Sequence, residues 1–177
     1  MGYTHADAVR LIADVQQEYV VRYGGMDTTP VDPQEFDAPG GLFVVGYLMG
    51  EPVACGGWRA READDYGLRA GDAELKRMYV VPAARGRGLA RTLLRHLERS
   101  AAQAGRARMV LETGTEQPEA LGLYAAEGYT AVTKFGAYRD LPASVCFAKS
   151  LARPEARPEE PALLTAGLSV DRDPDLV

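Results

Sequence analysis

Two closely spaced glycines lie in an arginine-rich turn, Arg85-Gly86-Arg87-Gly88-Leu89-Ala90, between an apolar segment and a segment with helical periodicity. Glycine lets the backbone approach an anion closely and adopt torsions that a Cβ disfavours, so successive N–H groups can face one phosphate pair. The start of the following helix adds the positive end of its dipole. These residue types and their spacing predict a site for the diphosphate of a nucleotide-like cofactor.

Two other phosphate-binding motifs do not fit this turn. The dinucleotide fingerprint requires a third small residue where Arg91 stands and a strand that leads directly into the first glycine, whereas Pro82-Ala83-Ala84-Arg85 intervenes. A Walker loop requires Gly-Lys-Ser/Thr, which does not follow the glycines here. Short glycine patterns also recur by chance, so the residues around the turn must decide its function.

Hydrophobic periodicity and turn residues predict the elements that position the turn. We expect helices at residues 7–23, from the turn to about 104, and at 118–127, with a short helical turn capped by Asp32. Strands are expected at residues 42–49, 53–59, 74–81, 108–113, 129–132 and 145–149. The short polar connection between the first two strands indicates an antiparallel hairpin.

Length and composition indicate one globular α/β domain. The chain has 177 residues, of which 46% are hydrophobic and 25% are charged. We assign the domain to residues 1–151 and predict that the proline-rich, acidic tail at residues 152–177 is loosely packed. The net charge of −5 and the absence of aromatics among the arginines of the second helix argue against nucleic-acid binding.

Cysteine usage and hydropathy predict a cytoplasmic protein. Cys55 and Cys146 lie far apart in apolar stretches, which fits buried thiols in a reducing compartment. We find neither an apolar run of the ~20 residues that a membrane span requires nor the pattern of a signal peptide at the N-terminus. His5 and His96 are the only histidines, so the sequence supports neither a metal site nor a Ser-His-Asp triad.

The residues around the turn resemble the GNAT superfamily of acyl-CoA-dependent N-acyltransferases. The family signature is Arg or Gln, two residues, Gly, one residue, and Gly or Ala, which Arg85, Gly88 and Ala90 satisfy. The segment Glu74-Leu75-Lys76-Arg77-Met78-Tyr79-Val80 is similar to the strand that precedes this signature. The segment Leu123-Tyr124-Ala125-Ala126-Glu127-Gly128-Tyr129 is similar to a later family motif, and the resemblance covers residues 42–151.

This resemblance implies a mixed α/β fold whose central, mostly antiparallel sheet splays to form a cleft for acetyl-CoA. The strand before the turn would pair through its backbone with the pantetheine arm, and an N–H near Val80 would polarise the thioester carbonyl. The turn would hold the diphosphate. The implied cofactor contacts are Met78, Tyr79, Val80, Arg85, Gly86, Arg87, Gly88, Leu89, Ala90 and Arg91.

Two residues are candidates for proton transfer. An amine with a pKa near ~10 must lose a proton before it attacks, and Glu74 occupies the position of the family's general base in some members. Its alternative role is an ion pair with Lys76 or Arg77. Tyr124 resembles the family's acid, which protonates the leaving thiolate, although an aromatic on this helix can also be a core residue.

The acceptor is less well specified by the sequence. Its pocket is expected from residues 23–36, Trp58, residues 113–117 and residues 134–138, and acids such as Glu112 in or near these segments favour a cationic amine. We predict direct transfer, without a metal, to a primary amine of a small molecule that is amino-acid-like or another amine. A protein amine as the acceptor, and a non-catalytic acyl-CoA-sensing module, are the alternatives.

The first helix is predicted to begin within the opening residues, so we expect the strand that usually precedes it in the family to be missing or supplied otherwise. A free sheet edge would result. Such an edge could pair with a second subunit or with the C-terminal tail, so a homodimer is one expectation.

Overall fold

The computed structural model describes residues 2–151, and the predicted tail at residues 152–177 therefore lies outside the described part of the chain. Its helices are α1 (Ala6–Tyr23), α2 (Leu89–Gln103) and α3 (Pro118–Ala126). Its strands are β1 (Gly41–Leu48), β2 (Glu51–Arg61), β3 (Asp72–Val80), β4 (Arg108–Gly114), β5 (Thr130–Val132) and β6 (Ser144–Ser150). Short 3-10 turns occupy Pro33–Phe36 and Pro82–Ala84.

The strands form one six-stranded sheet in the order β1-β2-β3-β4-β6-β5. All neighbours are antiparallel except β3 and β4, which are parallel. The β3–β4 pairing extends only from Asp72 opposite Arg108 to Glu74 opposite Val110, after which the two strands diverge. This confirms the predicted mixed α/β fold with a mostly antiparallel sheet that splays between these strands.

A β-bulge in β3 accompanies the divergence. The register of β2 against β3 shifts between Cys55 and Gly57, and Arg77 on the opposite strand has a positive φ of 55°. A bulge bends its strand and increases the local twist, which turns the end of β3 away from β4. The edge of β3 that faces the resulting wedge, after Glu74, has no strand partner among the described residues.

Helices cover both faces of the sheet because successive strand residues point to opposite sides. On one face, α2 buries an apolar stripe of Leu93, Leu94, Leu97 and Ala101 against residues that include Trp58. On the other face, α1 packs against Phe36 and Phe43. Trp58, expected in the acceptor pocket, lies in the first of these cores instead, where its indole N–H donates to Ser100 Oγ at 3.2 Å.

Within residues 2–151, no helix combines the length and the apolar character that crossing a membrane would require.

Candidate active site

Two cavities open along the wedge between β3 and β4. The larger, of about 500 Å³, follows β3 to the start of α2 and is closed on its other side by α3. The smaller, of about 330 Å³, lies between the end of α1, the end of β4 and the segment before β6. The two cavities share residues from both strands, including Leu75, Lys76 and Glu112, so they meet where the strands separate.

Most of the residues predicted to bind the cofactor line the larger cavity. It is lined by Met78, Tyr79, Val80, Arg85, Gly86, Gly88, Leu89, Ala90 and Arg91. Arg87, also predicted, is exposed and does not line it.

The start of α2 presents free backbone donors to this cavity. Gly88 is the N-cap with a φ of 76°, and no side chain caps it. The first backbone bond of the helix runs from the Thr92 N–H to the Gly88 carbonyl at 3.0 Å, which leaves the amides of residues 89–91 available. Amides at a helix N-terminus, together with the helix dipole, form an anion site.

The arginines of the turn are less available than its amides. The Arg85 guanidinium donates to the Val80 carbonyl at 2.9 Å and forms an ion pair with Glu18 of α1. Arg91 Nε lies 2.7 Å from Glu127 Oε1. Arg87 is in none of the ion pairs found among residues 2–151. The backbone amides are therefore the donors most available to an anion, and Arg87 is the cation of the turn that forms none of these ion pairs.

Tyr124 lies on α3, where it lines the larger cavity and is almost fully buried. Its ring packs on Tyr129 and Phe147 with centroid distances of 5.5 Å and 6.5 Å, so it is a core residue as well as a cavity residue. Burial raises the pKa of Tyr124 well above its ordinary value, and the hydroxyl therefore stays protonated. Tyr124 therefore presents, on the cavity wall, the protonated hydroxyl that a proton donor must have.

Glu74 is also buried, at 3% exposure, but it lines neither cavity. Its Oε2 accepts from Arg59 Nε at 2.9 Å, and its Oε1 lies 2.9 Å from Lys76 Nζ. Burial alone would raise the pKa of Glu74, but the two cations outweigh burial and lower it below its ordinary value. Its contacts include the Lys76 ion pair that the sequence offered as its alternative role.

Glu112 and Tyr19 line both cavities. The sequence predicts a catalytic role for neither: Tyr19 falls within the helix predicted at residues 7–23, and Glu112 is one of several acids expected near the acceptor. Glu112 Oε1 accepts from Ser144 Oγ at 2.9 Å. Burial raises the pKa of Glu112, and the Ser144 hydrogen bond and the charge of Lys76 offset this only in part. Burial likewise raises the pKa of Tyr19 to about 12.

The smaller cavity includes parts of the segments expected around the acceptor. Tyr23, Asp27, Gly114 and Tyr138 come from those segments, whereas Leu141, Ala143 and Ser144 were not expected. Asp27 ion-pairs with Arg77 and accepts from the Tyr138 hydroxyl at 3.0 Å, which ties the loop after α1 to the loop before β6. Among the described residues, no group of three or more His, Cys, Asp or Glu is arranged to hold a metal ion.

Comparisons with known proteins identify the family. The sequence model of the acetyltransferase (GNAT) family matches residues 12–129. An IAA acetyltransferase of Azospirillum brasilense is 32% identical over 143 residues, which cover 81% of this chain and 90% of the relative. A solved Klebsiella pneumoniae structure, assigned as an acyl-CoA N-acyltransferase, is 32% identical with a TM-score of 0.67, covering 86% of this chain and 94% of that one.

A third comparison concerns the fold. The Salmonella typhimurium protein YncA, assigned as an acetyltransferase and solved with its cofactor acetyl-CoA, is 19% identical with a TM-score of 0.59 and covers 88% of this chain and 95% of its own. The wedge, the free amides at the start of α2 and the family match agree with one another. This chain therefore belongs to the GNAT acetyltransferase family, and it is an acyl-CoA-dependent N-acyltransferase.

Proposed function

We propose that this chain transfers the acetyl group of acetyl-CoA directly to the primary amine of a small molecule. The observation that supports this most is the meeting of two cavities at the wedge between β3 and β4. One cavity ends at the free amides of α2, which suit a diphosphate, and the other contains carboxylates, which suit a cationic amine. The two reactants would meet at the junction of the two cavities, where both are lined by Leu75, Lys76 and Glu112.

The backbone hydrogen-bonding groups around the larger cavity, and the positive end of the α2 dipole, both suit acetyl-CoA. The unpaired edge of β3 can hydrogen-bond the amide-rich arm of the cofactor as an added strand would, while residues 89–91 hold the diphosphate. When bound, acetyl-CoA supplies an activated acetyl carbon. A backbone N–H near Val80 polarises its carbonyl, and Tyr124 donates the proton that the departing sulfur requires.

The amine must lose a proton at the junction, and the sequence predicts Glu74 for this role. Its carboxylate reaches the cavities only through Lys76, which lines both of them. A lowered pKa and three ion pairs, with Arg59, Arg61 and Lys76, make the Glu74 carboxylate a weak proton acceptor. These contacts favour a positioning role for Glu74, in which it holds Lys76 and Arg59 in place.

The test combines the full chain with acetyl-CoA and a panel of primary amines, and follows thiol release with a thiol-reactive chromophore. Tyr124→Phe should lower kcat by about 100-fold, because the sulfur then leaves without its proton donor. Tyr129→Phe is the matched control, since Tyr129 is a neighbouring buried phenol that lines neither cavity and donates to Glu98.

A Tyr124→Phe enzyme whose kcat stays within about twofold of the wild type would exclude the proton-donor role. Acetyl-CoA binding without thiol release for any amine would refute a small-molecule amine as the acceptor.

A further inference from the structure

Glu112 is a carboxylate at the junction without a cationic partner. None of the ion pairs in the described part of the chain includes it, whereas the other charged residues of the smaller cavity are matched. Lys76 is paired with Glu74, and Arg77 is paired with Asp27. The cavity therefore has one negative charge that its own cations do not neutralise.

Local contacts hold the Glu112 carboxylate in place. It accepts from Ser144 Oγ at 2.9 Å and from the backbone N–H of Tyr138. Gly136 passes so close that a Cβ there would lie 2.9 Å from Glu112 Oε2. A carboxylate fixed by neutral donors keeps its charge available for a cation, because hydrogen bonds orient it without neutralising it.

The mouth of the smaller cavity is apolar. Tyr23, Met26 and Leu141 line the cavity and are 38%, 57% and 52% exposed, although large apolar side chains are usually buried. Exposed apolar side chains that converge on one cavity are typical of a ligand site. The cavity thus places a carboxylate at its inner end and apolar side chains at its mouth.

We propose that the acceptor is a monocationic primary amine with an apolar body, whose ammonium group binds Glu112 and whose body packs against Tyr23, Met26 and Leu141. This inference rests on the proposed function. A second charge on the acceptor is disfavoured. A carboxylate would find Lys76 and Arg77 already paired, and a second ammonium group would lie at the apolar mouth.

The proton balance gives Glu112 a catalytic role. The bound ammonium transfers one proton to Glu112, which passes it to solvent, and the freed nitrogen lone pair forms the N–C bond as the C–S bond breaks. Tyr124 gives its proton to the departing sulfur, and the second proton lost by the nitrogen restores the Tyr124 hydroxyl through solvent. The reaction therefore releases one proton overall. Burial raises the pKa of Glu112, which makes it a better proton acceptor than Glu74.

The first experiment compares three acceptors that differ in charge and body. 2-Phenylethylamine has one ammonium group and an apolar phenyl ring. Phenylalanine adds a carboxylate to this molecule, and 1,4-diaminobutane carries a second ammonium group and no ring. The kcat/KM for 2-phenylethylamine should exceed that for either other compound by at least about 10-fold. The carboxylate of phenylalanine and the second ammonium group of 1,4-diaminobutane would each lie in the cavity without a partner of opposite charge.

The second experiment measures binding of 2-phenylethylamine by calorimetry with coenzyme A present. Glu112→Gln should raise Kd by about 10- to 100-fold, since it removes a charge-assisted hydrogen bond. Glu116→Gln is the matched control, because Glu116 is exposed and lines neither cavity.

Surface variants test the apolar mouth without risk to folding. Met26→Ser should lower kcat/KM by about 3- to 10-fold for 2-phenylethylamine and leave methylamine unaffected. Met49→Ser should change neither value, because Met49 is 97% exposed and lines neither cavity.

Three results would overturn the inference. They are equal turnover of phenylalanine and 2-phenylethylamine, equal affinity of the Glu112→Gln and Glu116→Gln enzymes, and faster acetylation of peptides than of any free amine. Absence of thiol release with all acceptors would instead refute the proposed function, and the inference with it.

Discussion

Replacing Gly88 with alanine separates the stability of the turn from its binding of the cofactor. Gly88 has a φ of 76°, and no atom lies within 4 Å of the Cβ that alanine would add. The substitution therefore meets no clash, and its cost in stability is the left-handed backbone, about 1–2 kcal/mol. For a chain of this size, that cost corresponds to a fall in Tm of roughly 2–8 °C.

Gly105 provides a matched control. It follows α2, has a φ of 80°, has open space around its would-be Cβ, and lines neither cavity. Gly105→Ala should therefore lose a similar amount of stability. Only Gly88→Ala places a methyl group beside the free amides at the start of α2. Loss of one charge-assisted hydrogen bond there should raise the Kd of coenzyme A by about 10- to 100-fold.

The assay is calorimetric titration of coenzyme A into each folded variant, with thermal unfolding measured in parallel. We expect matched losses of Tm and a weaker Kd for Gly88→Ala alone. If both variants bound coenzyme A as tightly as the wild type, the amides after Gly88 would not be the diphosphate site. If both bound it more weakly by the same factor, the loss would come from stability instead.

Glu74→Gln should lower the free energy of unfolding in urea by about 3 kcal/mol, because it leaves buried Lys76 without a carboxylate and buried Arg59 with Glu35 alone. Glu62→Gln, at an exposed position, should leave that free energy unchanged. Because the ion pairs lower the pKa of folded Glu74, its contribution is complete above the pKa of the unfolded chain and is lost as pH falls through the folded pKa. The difference from the wild type should therefore shrink in acid, and a constant difference would contradict the ion-pair account. If Glu112 is the base, Glu74→Gln should keep the low-pH limb of kcat/KM, whereas Glu112→Gln should abolish it.

Most elements of the fold could be predicted because their signals are local. The first helix ends at Gly24, which adopts a left-handed conformation, and Asp32 caps the short turn at Pro33–Phe36, both as expected. The bulge at Arg77 has no such signal. It depends on how β2 and β3 align, and a single sequence does not encode a register shift between strands in any short pattern.

The candidate site also has one part that a local sequence signal predicts and another part that depends on contacts distant in sequence. The glycine turn is contiguous in sequence, so its residue types and their spacing were enough to predict the free amides at the start of α2. Glu112 gains its environment from β6, where Ser144 stands opposite Gly114, and Glu74 gains Arg59 from the opposite position of β2. These partners are distant in sequence. No local pattern could have predicted which carboxylate is neutralised and which is not.

The contrast between the two carboxylates follows from the strands that surround them. Glu74 lies where β3 still pairs with neighbours on both sides, so it is enclosed and must be balanced by buried cations. Glu112 lies two residues beyond the last paired position of β4 on that side, where the wedge has opened and a ligand can approach. The first environment lowers a carboxyl pKa and the second raises it. The point at which β3 and β4 part thus separates a carboxylate enclosed by cations from one that lines both cavities, which is why we propose Glu112 rather than Glu74 as the group that meets the amine.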